Sequence, residues 1–113
     1  MADCLFCGIA SGQVSAQILY QDENVMAFRD ISPQAPTHVL VIPKVHISSP
    51  ADLAPDDEPL VGHLIRVAHH LAEHEGIAQT GYRLIINTGP HSGQAVPHLH
   101  IHLLGGRPLG HLG

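Results

Sequence analysis

The sequence predicts an α+β fold in which a mainly antiparallel, five-stranded sheet packs with one long helix and a short N-terminal helix. Three observations carry this prediction. Short runs of β-branched and aromatic residues recur between turns rich in Pro and Gly, of which the chain has 9 and 11. One longer stretch has the periodicity of an amphipathic helix. This helix lies between the third and fourth predicted strands, so strands and helices do not alternate along the chain. At 113 residues, we expect one domain, residues 1–113.

Five strands are predicted in chain order. The first two form an antiparallel hairpin, because polar residues 21–24 separate two apolar runs. The third lies between Pro36 and Pro43, and the last alternates histidine with aliphatic residues. The predicted strands are Ile18 to Tyr20, Val25 to Phe28, Thr37 to Ile42, Tyr82 to Asn87 and His98 to Leu104.

The long helix is predicted from about Pro59 to Glu75. Acidic residues 56–58 favour its start through capping and the helix dipole, and Gly76 favours its end. A short helix is predicted at Leu5 to Ala10, ended by Ser11 and Gly12. The apolar stripe of the long helix consists of Leu60, Val61, Leu64, Ile65, Ala68, Leu71 and Ala72.

Histidine is the most frequent titratable residue of the chain. The chain has 11 His against 5 Lys plus Arg and 10 Asp plus Glu, with a net charge of −5. This balance lacks the basic surface that nucleic-acid binding requires. No apolar run is long enough to span a membrane, and the N-terminus lacks the basic and apolar regions of a signal peptide, so we expect a cytoplasmic protein. Because histidine binds metals and transfers protons near neutral pH, its excess indicates a functional site.

The segment from His98 to Leu104 is the most informative. Alternate side chains of a strand share one face, so His98, His100 and His102 should project together. Two interpretations compete: the three imidazoles bind a catalytic zinc, or His100 is a nucleophile whose neighbours orient it and bind an anion. The preceding loop, residues 87–95, contains two glycines that allow backbone N–H groups to face a phosphate.

The pattern His-φ-His-φ-His-φ-φ, where φ is apolar, resembles the signature of the histidine triad superfamily. Residues 28–48, Gly93-Gln94 and residues 103–107 resemble its Hint (histidine triad nucleotide-binding) branch. The resemblance extends from about Cys4 to Arg107 and implies the histidine triad fold. It also implies a homodimer that binds a purine nucleotide such as AMP and hydrolyses purine nucleoside phosphoramidates through a nucleotidyl-histidine intermediate.

The resemblance implies roles for individual residues. His100 matches the nucleophile, His102 the residue that binds the phosphate oxygens, and His38 a residue that orients the triad. Asp30 matches the acid that binds the ribose hydroxyls. The remaining nucleotide-binding positions are Phe28 and Ile31 at the base, and Asn87, Gly93, Gln94 and Ala95 at the phosphate.

Two departures from the family pattern bear on activity. Ala95 replaces the serine that Hint proteins usually carry near the leaving group, which affects leaving-group protonation and substrate choice. The tail after Arg107 lacks the tryptophan of animal Hint proteins.

Cys4 and Cys7 form a C-x-x-C pair. A thioredoxin-like motif needs a strand before this pair, and three residues are too few to form one. Zinc is the better interpretation, but a closed site needs two more ligands. Many microbial members of the superfamily carry this pair and bind zinc. The resemblance to them implies that His46 and His98 are the other two ligands and that the cofactor is a structural zinc. We expect the histidines of the long helix, and His111, to be solvated, while His91 lies in the phosphate loop.

The leading functional hypothesis is therefore a nucleoside phosphoramidate hydrolase. A dinucleoside polyphosphate hydrolase is the competing hypothesis within the superfamily, because motif residues barely distinguish P–N from P–O cleavage. Two further hypotheses are a metallohydrolase with zinc on all three triad histidines, and a nucleotide-binding regulatory module with incidental turnover.

Overall fold

The computed structural model describes residues 4–113 and has the predicted α+β architecture. The helices and strands are α1 (Leu5–Ala10), β1 (Ile18–Gln21), β2 (Val25–Arg29), β3 (Thr37–Pro43), α2 (Glu58–His74), β4 (Tyr82–Ile85) and β5 (Ile101–Gly105). All neighbouring strands in the sheet are antiparallel, in the order β1-β2-β3-β5-β4. Three 3-10 turns of the described residues lie at Pro50–Asp52, Pro55–Asp57 and Pro90–Ser92.

Helix α2 covers one face of the sheet. Its start follows a 3-10 turn, and the Asp57 carboxylate accepts from the Ala54 N–H instead of capping the helix itself. Gly76, with φ of 75°, follows its last turn. The prediction that Ile65 belongs to the apolar stripe is wrong: its side chain is 45% exposed, because it lies outside the stripe that faces the sheet. The buried residues of α2 are Leu64, Val67, Ala68, Leu71 and Ala72.

The opposite face of the sheet is covered by α1. Both faces are therefore buried, which explains why every residue of β3 and all but the last of β2 are buried. On the α2 side, the strands contribute Val25, Ala27, Val39, Val41, Ile101 and Leu103. On the α1 side, a second cluster comprises Phe6, Ile9, Met26, Phe28, Leu40 and Ile42. The side-chain alternation of β3 and β5 places His38 and His102 on this second face.

The last strand is shorter than its sequence predicts. It begins at Ile101, not His98, because continuing the β3–β5 ladder would place Leu99 opposite Pro43, which has no N–H to donate. The Leu99 N–H donates instead to the Ile47 carbonyl, at 2.6 Å. Strand β4 likewise ends at Ile85, before Asn87. The alternation of faces nevertheless persists, since Leu99 packs in the α2-side core.

Candidate active site

His100 lies just before β5 and is almost completely buried. Its Nδ1–H donates to the backbone carbonyl of His98, at 2.7 Å. Because a carbonyl oxygen can only accept, Nδ1 carries a proton, and in the neutral ring the lone pair is therefore on Nε2. The geometry therefore provides an imidazole nitrogen with a free lone pair at a fixed position.

His102 and His38 form a second pair of imidazoles with defined tautomers. The backbone N–H of Gln34 donates to His38 Nδ1, at 3.0 Å, so His38 carries its proton on Nε2. That Nε2–H donates to His102 Nδ1, at 2.9 Å. His102 consequently carries its own proton on Nε2, as a donor. The chain from Gln34 through His38 thus sets the orientation and tautomer of His102.

Burial keeps these two histidines neutral. Desolvation, with a smaller contribution from the neighbouring His100 and His38, lowers the pKa of His102 to about 4. Desolvation also lowers the pKa of His38, while the Asp30 carboxylate, 3.4 Å from His38 Nε2, opposes that change. At neutral pH, His102 therefore acts as an uncharged hydrogen-bond donor.

A cavity of about 290 Å³ has a mostly apolar lining that includes Phe6, which contacts His100, and Asp30, which lies 3.4 Å from His38 Nε2. Phe28 and Ile31 also line it, and the family resemblance assigns both of them, with Asp30, to nucleotide binding. Asp30 is held at the rim because its Oδ1 accepts from the Ser32 N–H, at 2.8 Å. Ile31 is 96% exposed.

Three residues of α1 that the sequence did not predict to contact a ligand also line this cavity: Leu5, Phe6 and Ile9. Phe6 meets Phe28 edge to face, with ring centroids 5.4 Å apart, and meets His100 at 5.1 Å. The signal was the apolar spacing of the short helix, but without the structure nothing indicated which face of the sheet α1 covers.

The glycine-rich loop runs over residues 86–97 between β4 and the triad. Gly89 and Gly93 have φ of 80° and 83°, conformations that favour glycine. The Gln94 side chain accepts from the Gly89 N–H at 3.0 Å and donates to the Ser48 carbonyl at 2.9 Å. Gln94 therefore holds the loop in shape. Asn87 is half-buried and Ala95 is exposed.

Four residues lie together: Cys4, Cys7, His46 and His98, the zinc ligands that the family resemblance implies, which we term the Cys/His cluster. His98 Nδ1 lies 3.3 Å from Cys4 Sγ, and His46 Nδ1 lies 3.3 Å from Cys7 Sγ. Tetrahedral zinc places its sulfur and nitrogen ligands about 3.5 Å apart, so these separations fit a bound zinc.

The outer contacts of the Cys/His cluster agree with this fit. His98 Nε2 donates to the Pro43 carbonyl, at 2.8 Å, which leaves Nδ1 unprotonated toward the sulfurs. His46 Nε2 contacts Ser48 Oγ, at 3.3 Å. Desolvation raises the pKa of the Cys7 thiol, and its hydrogen bond with Cys4 raises it further.

The geometry does not support one zinc on all three triad histidines. His98 Nδ1 faces the cysteines, His100 Nδ1 is bonded to a carbonyl, and His102 Nδ1 faces His38. The three side chains therefore have different partners. The histidines of α2 lie away from this site: His69, His70 and His74 are exposed, and His63 pairs with Asp22 at 2.6 Å.

Several known proteins are similar to this chain in sequence and in fold. The family model of the HIT domain matches residues 11–109. The chain is 53% identical over 108 residues to the purine nucleoside phosphoramidase of Escherichia coli strain K12, a match that covers 96% of this chain and 91% of that protein.

Solved structures agree with these matches. A HIT family hydrolase from Legionella pneumophila superposes with a TM-score of 0.94 at 48% identity, covering 96% of each chain. A histidine triad protein from Clostridium difficile superposes with a TM-score of 0.96 at 41% identity, covering 100% of this chain and 98% of that one. The chain therefore belongs to the HIT domain family.

Proposed function

We propose that this protein hydrolyses purine nucleoside phosphoramidates through a nucleotidyl intermediate on His100. The observation that carries this proposal is the hydrogen bond from His100 Nδ1–H to the His98 carbonyl, which leaves Nε2 as a neutral nucleophile. The name of the 53% identical Escherichia coli relative, a purine nucleoside phosphoramidase, supports the same reaction.

In the proposed first step, the lone pair of His100 Nε2 attacks the α-phosphorus. The P–N bond to the amine breaks, and the amine nitrogen leaves with the electron pair and takes up a proton from solvent. His102 Nε2–H donates to a phosphate oxygen and stabilises the charge that develops there. Water then attacks the same phosphorus and gives up a proton to solvent, the bond to His100 breaks with its electron pair returning to Nε2, and the nucleoside monophosphate is released.

In the proposed bound complex, a purine such as that of AMP lies between Phe28, Ile31 and the side chains of α1. The Asp30 carboxylate accepts from the ribose hydroxyls at the rim of the cavity. Backbone N–H groups near Gly93 and Ala95 face the phosphate, with Asn87 and Gln94 beside them. Neutral imidazoles and the backbone therefore bind the phosphate without a lysine.

We also propose that the Cys/His cluster binds a structural zinc. A bound zinc would supply a cross-link between α1, the segment after β3 and the triad, without taking part in the chemistry. His98 would then be a metal ligand, and only its carbonyl would serve the reaction.

A cytoplasmic homodimer is the assembly that we propose. Strand β4 is an edge strand whose unpaired backbone groups can extend the sheet into a second copy. Ile86, directly after β4, is 42% exposed, and Ile65, one turn before the α2 residue His69 that contacts Tyr82 of β4, is 45% exposed. Among residues 4–113, no helix is long and apolar enough to cross a membrane.

One observation favours a second candidate, the hydrolysis of dinucleoside polyphosphates. Ala95 has no hydroxyl to deliver a proton to a leaving group. An amine needs that proton, whereas a nucleotide leaves as a stable anion without it. Alanine at this position therefore lowers the advantage of P–N over P–O cleavage.

Steady-state kinetics on two substrates tests the proposal. We expect kcat/KM for an adenosine phosphoramidate to exceed that for a diadenosine polyphosphate by at least about 10-fold, a transition-state difference of about 1.4 kcal/mol. The Ala95→Ser variant should widen the ratio by restoring a hydroxyl. A ratio below one would favour the second candidate instead.

A further inference from the structure

Helix α1 begins inside the Cys/His cluster. Cys4 is the N-cap residue of the helix, and its Sγ accepts from the Cys7 N–H, at 3.4 Å. Cys7 lies one turn further along. Both sulfurs of the cluster therefore belong to this six-residue helix and its cap. A helix of this length is not stable by itself, so its position depends on its attachments.

The same helix forms part of the wall of the nucleoside cavity. Phe6 lies between Cys4 and Cys7 in sequence and is 4% exposed. Its ring stands edge-on to Phe28 and, at an interplanar angle of 89°, to His100. Any change in the position of α1 is thus transmitted to both the cavity and His100.

His98 provides a second connection. Its ring faces the two sulfurs, and its carbonyl accepts the hydrogen bond that orients His100. The Phe6 ring also contacts the His98 ring, with centroids 5.9 Å apart. The cluster and the nucleophile therefore share one residue and one packing contact.

From these contacts we infer that metal binding at the Cys/His cluster and nucleotide binding in the cavity are cooperative. This inference rests on the proposed nucleotide-binding function of the cavity. Without metal, α1 is held on the sheet mainly by Phe6 and Ile9, and a nucleotide must order the helix as it binds. With metal, the helix is already in place and that cost is absent. Thermodynamic linkage requires that each ligand raise the affinity of the other by the same factor.

Equilibrium binding tests the inference without an activity measurement. We expect AMP, measured by calorimetry, to bind the zinc-loaded protein about 10-fold more tightly than the chelator-treated protein. Zinc, measured against a competing chelator, should bind about 10-fold more tightly when AMP is saturating. Equal AMP affinity in the two forms would overturn the cooperativity and leave the proposed function standing. Failure of AMP to bind either form would overturn both.

Removing the metal also destabilises the fold. The coupling through the Phe6 ring is therefore tested in a variant that keeps its metal ligands. Phe6→Leu keeps every metal ligand but loses the ring that contacts His100. We expect the factor by which saturating AMP tightens zinc binding to fall from about 10-fold to about 2-fold in this variant, whatever the change in each single affinity. Val67→Ala, in the core on the α2 side, is the matched control and should leave that factor at about 10-fold. An unchanged factor in Phe6→Leu would contradict the inference.

Discussion

At the scale of single residues, one backbone N–H group determines which ring nitrogen of His38 and of His102 carries the proton. Gln34 N–H donates to His38, and the tautomer that results makes His102 a donor from Nε2. The sequence identifies both histidines, but not this chain of hydrogen bonds, because the turn that brings residue 34 to His38 is a property of the fold. The same holds for the carbonyl that orients His100.

The low pKa of His102 predicts a pH dependence of stability. Its folded-state pKa of about 4 lies below its ordinary value of 6.5, so between these values the unfolded chain binds a proton that the folded chain does not. Stability should therefore fall as the pH falls from about 6.5 to about 4, and should not change through this group above pH 6.5.

Urea unfolding of the zinc-loaded protein at pH 7.5 and pH 5 measures this effect. Burial also lowers the pKa of His38, so His102→Asn should reduce the loss of stability at pH 5 without removing it. His111→Asn, at an exposed position, should leave the loss as in the unaltered protein. An equal loss in His102→Asn would show that His102 is not responsible.

At the scale of elements, α1 connects the proposed zinc site to the cavity. If the Cys/His cluster binds a structural zinc, its removal should lower stability and nucleotide affinity but should not abolish turnover at saturating substrate. We expect chelation to lower the thermal midpoint by about 10 °C, since a loss of about 2 kcal/mol shifts a chain of this size by that amount.

Differential scanning calorimetry and turnover, measured on the same chelated sample, check this expectation. Cys7→Ser should reproduce the lower midpoint, and Ser11→Ala, four residues further along the chain, should not. Zero turnover in a sample that is still folded would indicate instead that the metal takes part directly in the reaction.

Most elements were predictable because their patterns are local. The alternation in residues 98–104 and the stripe of α2 set the faces that these segments bury. The errors arose where distant residues decide the outcome. Ile65 is exposed because of how α2 packs, and β5 begins at Ile101 because Pro43 lies opposite Leu99. The role of α1 in the cavity depends on which face of the sheet it covers.

At the scale of the whole molecule, the sheet has two edges that differ in their neighbours. Strand β4 contacts α2 through Tyr82 and His69, one turn after the exposed Ile65. Strand β1 lies at the opposite edge and carries Ile18, which is 43% exposed. Similar exposure at opposite edges provides a matched pair of positions for testing the proposed dimer.

Sedimentation velocity should show that Ile65→Glu weakens the dimer at least about 10-fold, because it places a charge within an apolar interface. Ile18→Glu should sediment as the unaltered protein does. The reverse result would place the dimer interface at β1, and a monomer in all three samples would exclude the dimer.

The proposed mechanism requires His100 Nε2 to become covalently bonded to the nucleotide. Rapid-quench mixing of the protein with an adenosine phosphoramidate, followed by peptide mass spectrometry, measures this directly. We expect an adenylyl group on His100 during turnover, and no adduct with His100→Asn, although that variant should still bind AMP. Turnover without an adduct, or an adduct on another residue, would contradict the account.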